Sequence, residues 1–191
     1  MLKLLLAACL VVSSAQAVPQ TTPAPVDVDQ DKPILQVSCR LPGGRSMGTA
    51  FRIGKVIISA NHVTDYANCT IDGAKIEARH VPGLDFSIAP SGAGEYLKID
   101  CGGFVAGRKY LAIGYARGAP FLTGVALVGT GKKSGQFSLL VGIFTVVPGM
   151  SGGPVIDADT LKVVGIVNIY DAPNGISGSV ALKDTPVCAK A

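Results

Sequence analysis

Short apolar runs alternate with polar and glycine-containing turns from Ile34 almost to the end of the chain. Two of the turns, Gly54-Lys55 and Asp72-Gly73, have the length and composition that join antiparallel strands in hairpins. The pattern predicts six strands in each half of the chain, at residues 34–40, 48–53, 56–59, 69–71, 75–79 and 86–89 and then at 109–115, 121–128, 137–147, 154–156, 163–170 and 178–182. Two sets of six short strands are typical of two packed antiparallel barrels.

The composition agrees with an all-β fold. The 191 residues include 24 glycines, against an ordinary share of about 7%, and the only glutamates are Glu77 and Glu95. Glycine suits tight turns, and long helices would lack a common surface residue. We therefore expect two packed six-stranded antiparallel β-barrels, residues 34–95 and 96–188. The net charge of +4 comes from scattered lysines and arginines, which indicates a solvated surface and no nucleic acid partner.

The first 17 residues have the features of a signal peptide. Lys3 precedes an apolar run from Leu4 to Val12, and Ala15-Gln16-Ala17 supplies the small residues of a cleavage site, so the mature chain should begin near Val18. A second interpretation is lipidation of Cys9, which follows Leu-Ala-Ala. No later apolar run reaches the roughly 20 residues of a membrane span. Secretion or export to a periplasm is expected.

Residues 18–33 carry four prolines and three aspartates, which predicts a linker, an arm or a propeptide. The exported chain would then retain four cysteines, Cys39, Cys69, Cys101 and Cys188. An even number in an exported protein indicates disulfides, for which three connectivities are possible, and the alternative is four buried free thiols. The cysteines lack C-x-x-C spacing, so a zinc site is not expected.

Three segments contain candidate catalytic residues, although each alone is commonly structural. They are Ser59-Ala60-Asn61-His62-Val63, the strand opened by Asp85, and the glycine-rich turn around Ser151. A serine nucleophile needs an exposed hydroxyl, nearby backbone N–H groups for an oxyanion, and a general base. The chain has two histidines, and His62 follows an apolar strand whereas His80 lies in a polar run. A third group must orient the imidazole; Asp85 is preferred, with Asp65 and Asp100 as alternatives.

Taken together, Gly48-Thr49-Ala50-Phe51, the segment ending in His62-Val63, Asp85-Phe86-Ser87-Ile88 and Gly149-Met150-Ser151-Gly152-Gly153-Pro154 resemble the trypsin-like, chymotrypsin-fold serine endopeptidases. The order His, Asp, Ser is that of this superfamily. The motif style is closest to bacterial exported and heat-shock-type proteases. The resemblance covers about residues 34–188 and implies an active site in the cleft between the two barrels.

The resemblance implies a role for each motif residue. Ser151 would be the nucleophile, His62 the general base and then acid, and Asp85 the residue that orients His62. The N–H groups of Gly149 and Ser151 would form the oxyanion hole. No metal or cofactor is expected. Met150 stands where digestive relatives carry an aspartate that pairs with a freed N-terminus, so the site should form without that activation step.

The resemblance also implies features away from the triad. Thr145 would lie at the base of the pocket for the side chain before the scissile bond, and because it is not acidic, a strict preference for lysine or arginine is not expected. The segment Asn168-Ile169-Tyr170 would pair with the substrate backbone as an added strand. The strand order of two-barrel relatives favours a Cys39–Cys69 disulfide and leaves Cys101–Cys188 as the second pair.

These features together predict a secreted or periplasmic serine endopeptidase that acts on polypeptides as a monomer. Two other functions fit the same residues. One is a catalytically inactive, protease-like module that binds extended peptides. The other is a phage or viral protease that processes a single precursor.

Overall fold

The computed structural model describes residues 31–66, 68–119, 122–134, 137–143, 146–171 and 176–189. The predicted signal peptide and residues 18–30 lie outside these ranges. Almost all regular structure in the described ranges is antiparallel β-strand, and the prediction of an all-β fold with two halves is confirmed. Within the same ranges, no helix combines the length and apolar character needed to cross a bilayer.

The first half is one sheet in the order β5-β4-β1-β2-β3-β7-β6. Buried and more exposed side chains alternate along the strands and give the sheet two faces. In β1, for example, Leu35, Val37 and Cys39 are buried while Arg40 is exposed. A short helix, α1, follows β3. The bounds are β1 Ile34–Leu41, β2 Gly44–Ile53, β3 Val56–Ser59, α1 Asn61–Thr64, β4 Cys69–Ile71, β5 Ala74–Lys75, β6 Arg79–His80 and β7 Ser87–Pro90.

The first half contains seven strands where six were predicted. The predicted strand at residues 75–79 is two shorter ones, because β5 pairs with β4 whereas β6 pairs with β7 at the opposite edge of the sheet. Only residues 76–78 connect these two edges, and Ile76 turns into the core. Because three residues span little more than about 10 Å, the sheet must curl until its edges come near each other.

The second half is a closed barrel of six strands, which confirms the predicted number. Around the barrel the order is β10-β13-β12-β11-β8-β9. Two single turns of 3-10 helix, Ala116–Gly118 and Leu182–Asp184, follow β8 and β13. The strand bounds are β8 Lys109–Gly114, β9 Thr123–Ser134, β10 Phe137–Ile143, β11 Pro154–Asp157, β12 Val163–Asp171 and β13 Ile176–Ala181.

The two halves share a buried apolar cluster. Phe51 and Phe86 from the first half pack in one group with Val163, Ile166 and Leu182 from the second, and all five are almost completely buried. Burial of side chains of this size stabilises a fold by roughly 1.5–3 kcal/mol each. This shared core holds the two halves against each other and fixes the surface where they meet.

Two disulfides join distant parts of the described chain. Cys39 and Cys69 lie opposite each other on β1 and β4 and are joined, and Cys101 is joined to Cys188 near the C-terminus. These are the pairs that the resemblance implies. The first disulfide closes the segment that contains α1, and the second ties the connection between the halves to the end of the described chain.

Candidate active site

His62 and Asp85 emerge at the same end of one strand pair. Strands β3 and β7 are antiparallel neighbours, with Ser59 opposite Ser87. His62 lies three residues after Ser59, in α1, and Asp85 lies two residues before Ser87. In an antiparallel pair, the residues that follow one strand and those that precede its neighbour leave the sheet together. The pairing of two apolar strands therefore brings the two polar residues together.

The Asp85 carboxylate holds His62 by two hydrogen bonds. The His62 backbone N–H donates to Oδ1 at 2.9 Å, and ring Nδ1 lies 2.7 Å from Oδ2. With the carboxylate ionised, Nδ1 carries the proton and Nε2 is left as an acceptor. Burial raises the pKa of Asp85, but the hydrogen bonds from His62 outweigh it and hold the pKa below its usual value. Asp85 is therefore ionised at neutral pH.

Asn168, on β12, supports the same carboxylate from the second half. Its side-chain Nδ2 donates to the Asp85 backbone carbonyl and also lies 3.1 Å from Oδ2. Asn168 is itself buried. The sequence analysis placed Asn168 in the substrate-binding segment and missed this contact. The available signal was a single amide in the apolar strand sequence Val163–Tyr170.

Thr49, on β2, anchors the turn that carries Ser151. Its backbone N–H donates to the Ser151 carbonyl at 2.8 Å, and its Oγ1 donates to the Gly149 carbonyl at 2.7 Å. Oγ1 also accepts from the Tyr115 N–H at 3.0 Å. Thr49 is completely buried and belongs to the first half, so these bonds position Ser151 against the half that holds His62. The sequence analysis quoted Thr49 in a motif without giving it a role.

Gly152 brings the turn around Ser151, residues 148–153 and called the serine turn here, close to the segment that leads into His62. It adopts φ +84°, and a Cβ at this position would lie 2.1 Å from the Thr49 carbonyl oxygen and 3.0 Å from the Ala60 nitrogen. A larger residue would push the turn away from the end of β3. The position therefore requires glycine both for its backbone angle and for the close approach.

The N–H groups of Gly149 and Ser151 point away from the residues that hydrogen-bond to the preceding carbonyl groups. The Pro148 carbonyl accepts from the Arg117 N–H at 2.6 Å, and the Met150 carbonyl accepts from the Gly153 N–H at 2.9 Å. In a trans peptide the N–H points opposite to the C=O. Within the described ranges, neither N–H donates to another residue. Two unengaged donors two residues apart at the serine turn are suited to an anionic oxygen.

Among the described residues, one edge of β12 next to the serine turn is not paired with another strand. On one side, Ile169 and Tyr170 pair with β13. On the other side, pairing with β11 ends where Pro154 meets Ile166, and no described strand pairs with residues 168–171 there. The segment predicted to bind substrate thus has a free backbone edge in the described structure. Thr145, the predicted base of the side-chain pocket, lies outside the described residues.

The alternative residues are engaged elsewhere. His80 Nδ1 lies 3.4 Å from Asp65 Oδ1, and Asp100 Oδ1 accepts from the Gly102 N–H at 2.7 Å. Within the described residues, neither of these aspartates forms a hydrogen bond or an ion pair with His62. The described ranges also contain no group of three or more His, Cys, Asp or Glu arranged to hold a metal ion.

Comparison with known proteins gives matches in structure. A scan against protein-family models finds no match, and neither does a search of curated proteins. The active form of the Rv3671c protease from M. tuberculosis is 17% identical, with a TM-score of 0.63, over 89% of this chain and 91% of that one. A tripeptide complex of the HtrA-type protease AlgW is 19% identical, with a TM-score of 0.64, over 81% and 58% of the two chains.

The serine endoprotease from Yersinia pestis is 18% identical, with a TM-score of 0.62, over 80% of this chain and 60% of that chain. The present chain therefore spans about three fifths of the AlgW and Yersinia chains. The strand order, the approach of the turn around Ser151 to the segment that leads into His62, and these matches agree with one another. The chain has the chymotrypsin-like two-barrel fold of the trypsin-like and HtrA-type serine proteases.

Proposed function

We propose that the protein is a serine endopeptidase that hydrolyses peptide bonds through Ser151, His62 and Asp85. The observation that carries the proposal is the double hydrogen bond from His62 to the Asp85 carboxylate, through the ring Nδ1 and the backbone N–H. A surface histidine needs no such fixation, whereas a general base needs one tautomer and one orientation. Thr49 and Asn168 add support, because both connect catalytic residues across the two halves.

In the proposed mechanism, His62 Nε2 accepts the proton of Ser151 Oγ as this oxygen attacks the scissile carbonyl. Asp85 stabilises the imidazolium that forms. The carbonyl oxygen becomes an oxyanion and receives hydrogen bonds from the N–H groups of Gly149 and Ser151. His62 then donates its proton to the leaving amine, and an acyl-enzyme on Ser151 remains. Water, activated by His62, hydrolyses this ester and restores the enzyme.

We also propose that the substrate binds as an extended strand along the free edge of β12, at residues 168–170. Backbone hydrogen bonds to this edge would hold any sequence, so side-chain selectivity must come from pockets. The proposed compartment is the cell exterior or a periplasm. The two disulfides support it, because such bonds persist in oxidising compartments and are rare where thiols are kept reduced.

A fluorophosphonate probe tests the proposal, because it labels only an activated serine hydroxyl. We expect labelling of the protein and none of Ser151→Ala or His62→Ala, whereas Ser46→Ala, a control at another partly exposed serine, keeps the label. Peptide hydrolysis should fall about 10⁶-fold in Ser151→Ala and His62→Ala and roughly 10⁴-fold in Asp85→Asn. Peptide binding without labelling or cleavage would instead identify the inactive peptide-binding module.

A further inference from the structure

A groove of about 640 Å³ crosses the outer face of the first half. Strands β5, β4, β1 and β2 are neighbours in this part of the sheet, and their outward-facing side chains line the groove. Its lining includes Gln36, Arg40, Arg45, Met47, Asp72 and Lys75. The groove is distinct from the triad and from the edge of β12.

The groove carries an excess of positive charge. Arg40, Arg45 and Lys75 are exposed, and none of them forms an ion pair with a described residue. Asp72 is the one acidic residue among those that line the groove, and its Oδ1 already accepts the Gln36 backbone N–H at 2.9 Å. The local balance is therefore three cations against one partly engaged carboxylate.

Two of the cations face each other directly. In the register of β1 and β2, Arg40 is the partner of Arg45. Like charges in directly opposite positions destabilise a sheet. An anionic group bound between the two guanidinium groups would remove this repulsion and would gain charge-assisted hydrogen bonds. The pair thus points to an anion as the occupant of the groove.

The groove begins beside the serine turn. A Cβ on Gly149 would lie 2.9 Å from the Arg117 nitrogen and 3.1 Å from the Gly118 nitrogen. The serine turn therefore packs on the 3-10 turn Ala116–Gly118. Gly118 in turn contacts two groove residues: its carbonyl accepts from Gln36 Nε2 at 3.2 Å, and a Cβ on it would lie 3.1 Å from the Met47 side chain. A chain that leaves the serine turn on this side enters the groove.

The position of β12 decides which part of a substrate this is. The opposite side of the serine turn meets β12, where the Gly152 N–H donates to the Val167 carbonyl at 2.7 Å. The proposed pairing with β12 is here assigned to the substrate residues that precede the scissile bond. The residues after the scissile bond must therefore leave past Gly149 and Gly118 and enter the groove.

We propose that this groove selects polypeptides with aspartate or glutamate two to five residues after the scissile bond. Arg40 lies four residues beyond Gln36 on the same strand, a distance of about 13 Å, which about four residues of an extended substrate also cover. Along the strand direction Lys75 lies level with Ser38, between Gln36 and Arg40, because it pairs with Thr70, which pairs with Ser38. The assignment rests on the proposed function and adds a substrate class to it.

Matched peptide substrates test the groove. A peptide that the purified protein cleaves is resynthesised as internally quenched versions that differ only at positions two to five after the scissile bond, with acidic, amide or lysine side chains. We expect kcat/KM to be about five- to tenfold higher for the acidic version than for the amide version at low salt, and lowest for the lysine version. The advantage should shrink as NaCl is raised, because exposed charges are screened.

A double variant identifies the residues responsible. Arg40→Gln with Arg45→Gln should abolish the preference for the acidic peptide and leave hydrolysis of the amide peptide unchanged, which also shows that the variant is folded. The control is Lys109→Gln with Lys162→Gln, which removes the same charge at two exposed positions in the second half, near the Asp157 end of β11. This control should keep the preference.

Equal cleavage of the acidic and amide peptides would overturn the assignment, as would a double arginine variant that loses activity on both peptides equally. A binding assay separates this outcome from failure of the proposed function. A fluorescent acidic peptide should bind Ser151→Ala, and the two arginine substitutions should weaken the binding at least fivefold. If the protein neither cleaves peptides nor reacts with the fluorophosphonate, this binding alone decides whether the groove takes acidic chains.

Discussion

Replacing Thr49 with valine should disturb the serine turn without changing the shape of the core. Valine keeps the branched side chain and removes the hydroxyl, which donates to the Gly149 carbonyl at 2.7 Å and accepts from the Tyr115 N–H at 3.0 Å. Gly149, Tyr115 and Thr49 are all buried, so water cannot replace either bond. Each of the two unsatisfied backbone groups costs about 1–3 kcal/mol, which predicts a loss of roughly 2–6 kcal/mol in the free energy of unfolding.

The effect on catalysis should exceed the effect of general destabilisation. The Gly149 carbonyl belongs to the turn whose N–H groups would bind the oxyanion, and a displacement of about 1 Å in such a group can reduce the rate roughly 10²-fold. We therefore expect kcat to fall about 10- to 100-fold in Thr49→Val, with a much smaller change in KM. Thr49→Ser keeps the hydroxyl and should retain most of the activity.

Thr185→Val is the matched control. Thr185 is equally buried, and its Oγ1 donates to the Leu182 carbonyl at 2.7 Å, at the end of the chain and away from the serine turn. This variant should lose about 1–2 kcal/mol of stability and keep its kcat. Urea unfolding and peptide hydrolysis measure the two effects separately. If kcat fell no further in Thr49→Val than in Thr185→Val, Thr49 would not be the residue that positions the serine turn.

Three further predictions concern pH and covalent stability. Because a protonated imidazole cannot accept the serine proton, kcat/KM should fall as the solution is acidified, and a flat profile would exclude His62 as the base. Burial raises the pKa of Asp157, but the hydrogen bonds from Arg108 and from the backbone N–H groups of Thr160 and Asp159 together outweigh it and leave the pKa lowered. The contribution of ionised Asp157 to stability is therefore complete above the usual aspartate pKa and is lost as the pH falls through the lowered pKa. The stability difference between the protein and Asp157→Asn should therefore shrink as the pH falls below the usual aspartate pKa of about 3.9, and a constant difference would contradict the assignment. Replacing Cys101 and Cys188 with serine together should lower the free energy of unfolding by about 4–5 kcal/mol in the chain-entropy model, and peptide mapping without reduction should recover the Cys101–Cys188 link in the parent protein.

Local sequence patterns were sufficient for the fold class and for the candidate triad. Short apolar runs separated by glycine turns predict strands, because strand patterns and hairpin turns depend on residues that are adjacent in the sequence. His62, Asp85 and Ser151 were recognisable because each lies in its own short motif beside a strand end. The limit appeared at residues 75–79, where one strand was expected. Pairing to opposite edges of the sheet divides this segment, and pairing partners far along the chain do not show in a local pattern.

Tertiary structure alone decided which other residues serve the site. Thr49 and Ser151 are about a hundred positions apart, and Asp85 and Asn168 are 83 positions apart. No local periodicity links the members of either pair. Their contacts depend on how the two halves pack, and this packing is set by apolar burial, which has no direction of its own. The sequence by itself specified the chemistry that is present, because each motif contains its reactive side chain.

The basic groove is the clearest case of information that the linear sequence hides. Arg40, Arg45 and Lys75 are scattered along the chain, and the sequence analysis assigned such residues to a solvated surface. Only the register of β2 against β1, of β4 against β1 and of β5 against β4 brings them onto one face. The sequence determined which charges exist and on which face of its own strand each one lies. Cross-strand pairing decided which charges become neighbours, because hydrogen bonds between strands join residues without regard to their separation along the chain.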